Sequence, residues 1–298
     1  METLLFSAVQ LTASTSPAEG TASIRFSASG DEKIHQTLLA ARRTQDQALT
    51  AFRAAAAAVV IDDETARADI DFITSRFEAI GTLRAAVDAR RATTGDVIGY
   101  LQPTSPRAFD LVKRVGFYAN DSDVAQLADG LYALLQFVEG AKMEDGAATQ
   151  AIVFRKFPLA EAEIFFVGRH LQEVFAPAII AAAPPAIAAR FSASINGPTS
   201  TILSAIRSGV GAFAGGEALA GASETQAWLP TLAQRDDVFL ELLQQYQSEM
   251  SKMTEALIAS AYFSLLAYCG ATLAIFIAAV GLSLYVIRIV SGLLGLVQ

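Results

Sequence analysis

The 298 residues carry 30 acidic against 22 basic side chains, a formal charge of −8, and 53% of them are hydrophobic. All 30 acids and 21 of the bases precede Ala256, so that part carries −9. This excludes a nucleic-acid partner, which requires Lys and Arg clustered against phosphate. The one cysteine, Cys269, excludes an intramolecular disulfide and says nothing of the redox compartment.

In chain order, METLLFSAVQLTAS opens with an apolar stretch whose first charge is Glu2. With no basic residue ahead of it, it matches a secretory signal poorly. Ile34, Leu38, Ala41, Gln45, Ala48, Phe52, Ala55 and Val59 step by alternating fours and threes, which predicts a helix with one polar seam position. A second helix is predicted from Thr65 to Arg91, with Ile70, Ile73, Phe77 and Ile80 as its stripe. Between Thr93 and Asp123 the turn signals predict loops around one short helix.

A long helix follows over Val124 to Phe154, and Pro158 is expected in the first turn of the next, which carries Phe165, Leu171, Val174 and Phe175. Three prolines in APAIIAAAPPAIAA predict a break between packed helices rather than a membrane crossing. Asn196-Gly197-Pro198 opens another helix, which GVGAFAGGEALAG ends. The last helix places Phe239, Leu243, Tyr246, Met250, Met253 and Leu257 on one seam. It runs into 32 uncharged residues, Ala256 to Ile287, where about 20 suffice to cross a bilayer. With no strand-like alternation, the fold is expected to be all-α. About eight helices in two stacked four-helix bundles, residues 1–255, continue into a transmembrane helix, 256–288, and a short tail, 289–298.

The candidate chemical motifs are weak. Glu32-x-x-His35 has di-metal spacing, but its only counterpart is the reversed His170-x-x-Glu173, so no metal site and no cofactor is expected. Helices flank the glycine-rich stretch and no Gly-Lys-Ser/Thr follows, which predicts a turn rather than a phosphate loop. Arg42 and Asp46 form an i, i+4 pair, and Arg90-Arg91 favours a helix C-terminus. No nucleophile–base pair emerges, so no enzyme is expected. In the span, Gly270, Ala274 and Ala278 recur every fourth residue and offer a close-packing face for a homodimer.

The stretch FSASGDEKIHQTLLAARRTQDQALTAF, with Arg42 and Asp46, resembles the second helix of the nitrate- and nitrite-sensing domain family. ALLQFVEGAKMEDGAATQAI resembles its later helix, and Trp228 with the helix into the membrane resembles its closing section. The resemblance covers about residues 5–255. It implies a sensor region of a transmembrane receptor, outside the membrane and ahead of a HAMP linker, which RIVSGLLGLVQ resembles at its start. The output would be a chemoreceptor, histidine-kinase or cyclase module, absent here and supplied by a longer chain or a separate protein.

Two family arginines are not matched. The family's Glu-Arg-Gly is Ala18-Glu19-Gly20 here, and its Glu-Arg-Ala is Ala148-Thr149-Gln150. Nitrate needs convergent charged donors such as guanidinium, so nitrate binding is disfavoured, and Arg25 and Arg155 are the nearest substitutes along the chain. The expected function is that of a membrane-anchored small-ligand sensor; the alternative is a helical scaffold with a degenerate pocket. Arg288 beyond the span favours a cytoplasmic C-terminus, which places a single-pass protein in the inner membrane with a periplasmic sensor. The alternative topology is a cytoplasmic bundle on a tail anchor. That export route would call for a segment upstream of Met1.

Overall fold

The computed structural model describes residues 2–118, 121–155, 157–214 and 222–294, with no side chain described at 115–120, 221–229, 233 or 289–294, nor at Glu2, Val153, Phe154 and Pro198. Among them the fold is all-α, as expected, with no strand. The elements are α1 (Glu2–Val9), a π-helical turn (Gln10–Thr15), α2 (Ser16–Ser29), α3 (Glu32–Ala57), α4 (Glu64–Glu78), α5 (Gly81–Asp88) and α6 (Thr94–Leu101). There follow α7 (Thr104–Tyr118), α8 (Ser122–Phe154), α9 (Leu159–Ala182), α10 (Pro185–Ile195), α11 (Pro198–Ala214) and α12 (Ala222–Leu294). The chain divides into two compact units, residues 1–248 and 249–298.

In the first unit the N-terminal stretch is core. Leu4, Leu5, Val9 and Leu11 are buried, and α1 packs on α3 and α7. The α3 seam is borne out by buried Leu38, Gln45, Ala48, Phe52 and Ala55, although the helix ends at Ala57 and leaves Val59 outside it. The predicted Thr65–Arg91 helix is broken in two at Ala79–Ile80, ahead of Gly81, yet its stripe of Ile70, Ile73, Phe77 and Ile80 is buried throughout. The break turns the chain without disturbing the buried face. Residues 93–123 hold two helices rather than one. Thr93 and Asp96 close a capping box on α6, and Pro106 sits in the first turn of α7, where a missing N–H goes unnoticed.

α8 starts where Asp121 accepts hydrogen bonds from the N–H groups of Asp123 and Val124, and it runs to Phe154 as predicted. α9 lies antiparallel to it, since the contacts Gln126–Ala182, Tyr132–Phe175 and Gly140–Gly168 run in opposite senses. Gly140 and Gly168 set the spacing of this pair. A Cβ on Gly140 would stand 2.6 Å from the Gly168 carbonyl oxygen, so neither position admits a side chain. α9 carries Phe165, Leu171, Val174 and Phe175 as expected, and its buried face is Ala162, Phe165, Gly168, Gln172 and Ile179, with Val174 exposed. Glycine and glutamine on that face hid it from a hydrophobic count. Pro158 is the N-cap rather than a first-turn residue, Pro184 caps α10, and Pro198 opens α11. Phe137 of α8 meets Phe191 of α10 and Phe239 of α12 edge to face, at 5.0 and 5.6 Å between centroids.

Two segments among the described residues are long and apolar enough to cross a membrane, α9 and Pro230–Arg288. α9 is committed to α8 along its buried face. In the second unit Tyr262, Phe263, Leu266, Ile275 and Tyr285 are exposed, a helix surface that water does not favour. Gly270, Ala274, Ala278 and Cys269 are exposed on it as well.

Candidate functional site

Three features of the first unit gather charge among its helices. The first is built on Glu19 of α2, which is only 2% exposed. Arg84 of α5 donates to both its oxygens, Nε to Oε1 and Nη2 to Oε2, each at 2.8 Å. Arg42 stands 3.8 Å away and bonds Asp88 instead at 2.8 Å, while Asp46 takes Arg84 Nη1 at 2.8 Å. The i, i+4 pairing expected of Arg42 and Asp46 is therefore replaced by bonds across helices. Burial works against the charge of Arg84, but Glu19 and Asp46 outweigh it and hold its pKa above the ordinary value. Glu19 is thus clamped as an internal anion by a bidentate guanidinium.

The second feature is a cavity of about 320 Å³ between α2, α6, α7, α8 and α12. Arg25, Glu139, Lys142, Thr149 and Asp236 line it, with Val97, Ile98, Leu101 and Ile164 as apolar wall. An adjoining cavity of about 500 Å³ shares Arg25, Lys142 and Asp236. Lys142 and Asp236 pair at 2.5 Å, whereas Arg25 and Glu139 have no ion-pair partner within 4.0 Å among the described residues. Burial pushes the Glu139 carboxyl up to about 7, against a hydrogen bond from Ser105.

The third is a network behind that cavity. Glu144 of α8 is fully buried and accepts from Arg207 of α11 at 2.5 and 2.7 Å, from Gln172 of α9 at 2.8 Å and from Arg235 of α12 at 3.5 Å. Arg207 also donates to Gln172 at 2.8 Å, and Arg235 pairs with Asp145. The segments 140–144 and 168–172 cross at the glycine contact, where a Cβ on Gly168 would stand 2.8 Å from Glu144 N and one on Gly140 3.4 Å from Gln172 N, so Glu144 and Gln172 meet there. Burial raises Glu144, but the Arg207 hydrogen bonds and charge, with Arg235, bring it below the ordinary carboxylate value. Asp145 moves up, because burial outweighs Arg235 and Lys142.

Of the residues singled out from sequence, Arg25 lines both cavities. Arg155 is an exposed, left-handed residue closing α8, at φ 53°, and lines neither. His35 stacks on Phe26 at 4.5 Å and stands 3.6 Å from Glu32, while Glu173 pairs with Arg169 rather than with the exposed His170. No group of three metal-binding side chains forms among the described residues. Arg90, at φ 55°, lays its guanidinium on Gly30, where a Cβ would fall 2.5 Å from Nη1. GVGAFAGGEALAG begins inside α11, but its residues 215–221 lie outside the described residues, as do the side chain of Trp228 and the side chains of 289–298.

The Glu144 network was not anticipated, though its signal is present. Phe137, Ala141, Glu144, Ala148 and Ala151 step by fours and threes through buried positions, and Arg235 extends the Phe239 seam by one turn. A charge on an apolar seam demands a partner.

The sequence profile of one protein family, described as "Nitrate and nitrite sensing", matches residues 18–260. No curated protein and no solved structure matches the chain.

Proposed function

Because the chain belongs to the nitrate- and nitrite-sensing family, a family of receptor sensor domains, we propose that its first unit binds a small molecule between helices and its long apolar helix anchors it in a membrane. The family match over residues 18–260 carries this reading. The cavity at Arg25 is the place for the ligand. It lies in the first unit, mixes polar and apolar lining residues, and offers one cation, Arg25, and one carboxyl, Glu139, that no charge engages within 4.0 Å among the described residues. Such a pair suits a zwitterion or neutral polar compound better than nitrate, whose convergent arginines are replaced here by Glu19 and Thr149.

α12 supplies Leu232 and Asp236 to the cavity wall and continues to Leu294. A ligand that prefers one position of that helix shifts its equilibrium, which is how the message reaches the span. In the span, Gly270, Ala274 and Ala278 are the proposed face of a homodimer in the inner membrane, with the sensor periplasmic and an output module attached or separate.

The test is calorimetric titration of the full chain in lipid nanodiscs with nitrate, nitrite, and a panel of amino acids and amides. At least one panel compound binds saturably, and Arg25→Ala weakens it tenfold or more while Arg155→Ala does not. Absence of binding to a folded chain would favour a helical scaffold.

A further inference from the structure

A separate cavity, of about 400 Å³, opens between α9, α10, α11 and α12 and shares Phe239 alone with the lining of the Arg25 cavities. The geometry points to a second binding site there, for an organic monocarboxylate with a compact apolar body, the size of an aromatic acid. This goes beyond the sensor reading and stands independently of it.

Four arginines line the cavity: Arg169, Arg190, Arg207 and Arg235. Each has an acid; Glu173, the partner of Arg169, lines the cavity as well, but Glu144, Asp145 and Glu241 do not, so three of the four arginines line it without their acids. Arg207 and Arg190 hold their acids in the same way. Each uses Nε and Nη2, at 2.5 and 2.7 Å to Glu144 and at 3.1 and 2.6 Å to Glu241. Neither Nη1 makes a hydrogen bond among the described residues. Two guanidinium groups fixed by carboxylates along one edge, with a donor left over, are preorganised to receive another anion.

The charge balance selects which anion. With every arginine already paired, the wall has little positive excess, which disfavours a phosphate dianion and tolerates a single charge. The remaining wall is apolar, formed by Phe137, Leu203, Val238 and Phe239. A volume of about 400 Å³ lies in the range of pockets for small organic molecules, and nitrate would leave most of it unfilled.

The experiment is calorimetric titration of the full chain in lipid nanodiscs with benzoate, benzamide and inorganic phosphate. Arg190 and Glu241 are both solvent-accessible, so Arg190→Gln removes a donor without stranding a buried charge. Ala176→Leu fills the cavity from α9, and thermal midpoints by circular dichroism establish that both variants fold. Benzoate is expected to bind at one site with a submillimolar Kd, at least tenfold tighter than benzamide. Arg190→Gln is expected to weaken benzoate at least fivefold, Ala176→Leu to abolish its binding, and Arg25→Ala to leave the Kd within twofold. The proposal is overturned by the absence of saturable benzoate binding to the unmodified chain, by equal affinity for benzamide, by phosphate binding in place of benzoate, or by loss of benzoate binding in Arg25→Ala alone.

Discussion

Replacing Arg207 by methionine tests the Glu144 network directly. Glu144 is fully buried and receives its two shortest hydrogen bonds from Arg207, leaving only Gln172 at 2.8 Å and Arg235 at 3.5 Å once that guanidinium is gone. Breaking a buried ion pair by removing one partner costs about 3–5 kcal/mol; because Arg235 remains, the lower end applies, about 3 kcal/mol. For a unit of this size that lowers the thermal midpoint by about 6–12 °C. The loss depends on pH with a definite sign. In the native chain Glu144 titrates below its ordinary value, so its contribution is present above the unfolded pKa and is lost as pH falls through the folded one. Without Arg207 its folded pKa rises, and the variant loses stability as pH rises from the unfolded toward the folded value. The gap between the two proteins is therefore widest at neutral pH and narrows on acidification. Thermal melts followed by circular dichroism between pH 4 and 8 measure this. The double variant Glu144→Gln, Arg207→Met regains at least about 1.5 kcal/mol of the loss, because no buried charge is left unpaired. A loss under about 1 kcal/mol at pH 7, or a gap independent of pH, would refute the reasoning.

Two further outcomes follow from the helix contacts and the cavity. Gly140→Ala drives a Cβ to 2.6 Å from the Gly168 carbonyl oxygen, and since both partners are backbone of packed helices, about 2 kcal/mol or more is lost; a midpoint unchanged within 2 °C would show that α8 and α9 separate freely. Glu139 keeps its proton to about pH 7 when folded, so the folded state binds the extra proton between the ordinary carboxylate value and 7. Native stability therefore falls by about 2–3 kcal/mol as pH rises through that window, and Glu139→Gln flattens the slope in the same melts; an unchanged slope would place the group in water.

The all-α fold was legible because its seams are long and regular. α3 and the burial of Phe239, Tyr246 and Met250 on α12 follow from steps of four and three along their seams. What escaped followed from local chemistry. A break at Ala79–Ile80 leaves the buried stripe in phase, so periodicity does not register it. A proline in a helix's first turn reads as a loop signal, so residues 93–123 read as holding one helix instead of two. Of the two candidate arginines, Arg25 lines the proposed cavity and Arg155 ends α8 on the surface, a difference that their equal nearness to the unmatched family positions does not encode. The Glu144–Arg207–Arg235 network joins residues 63 and 91 positions apart, a pairing that no local pattern encodes.

Hydrogen–deuterium exchange on the full chain in nanodiscs, with and without each panel compound at millimolar concentration, tests the sensor reading most directly. The account predicts that a binding compound slows exchange together in α2 around Arg25, in α8 from Glu139 to Thr149 and in α12 around Asp236, three of the helices that line the cavity. Exchange unchanged in all three helices for every compound, in a chain that is folded, would contradict it.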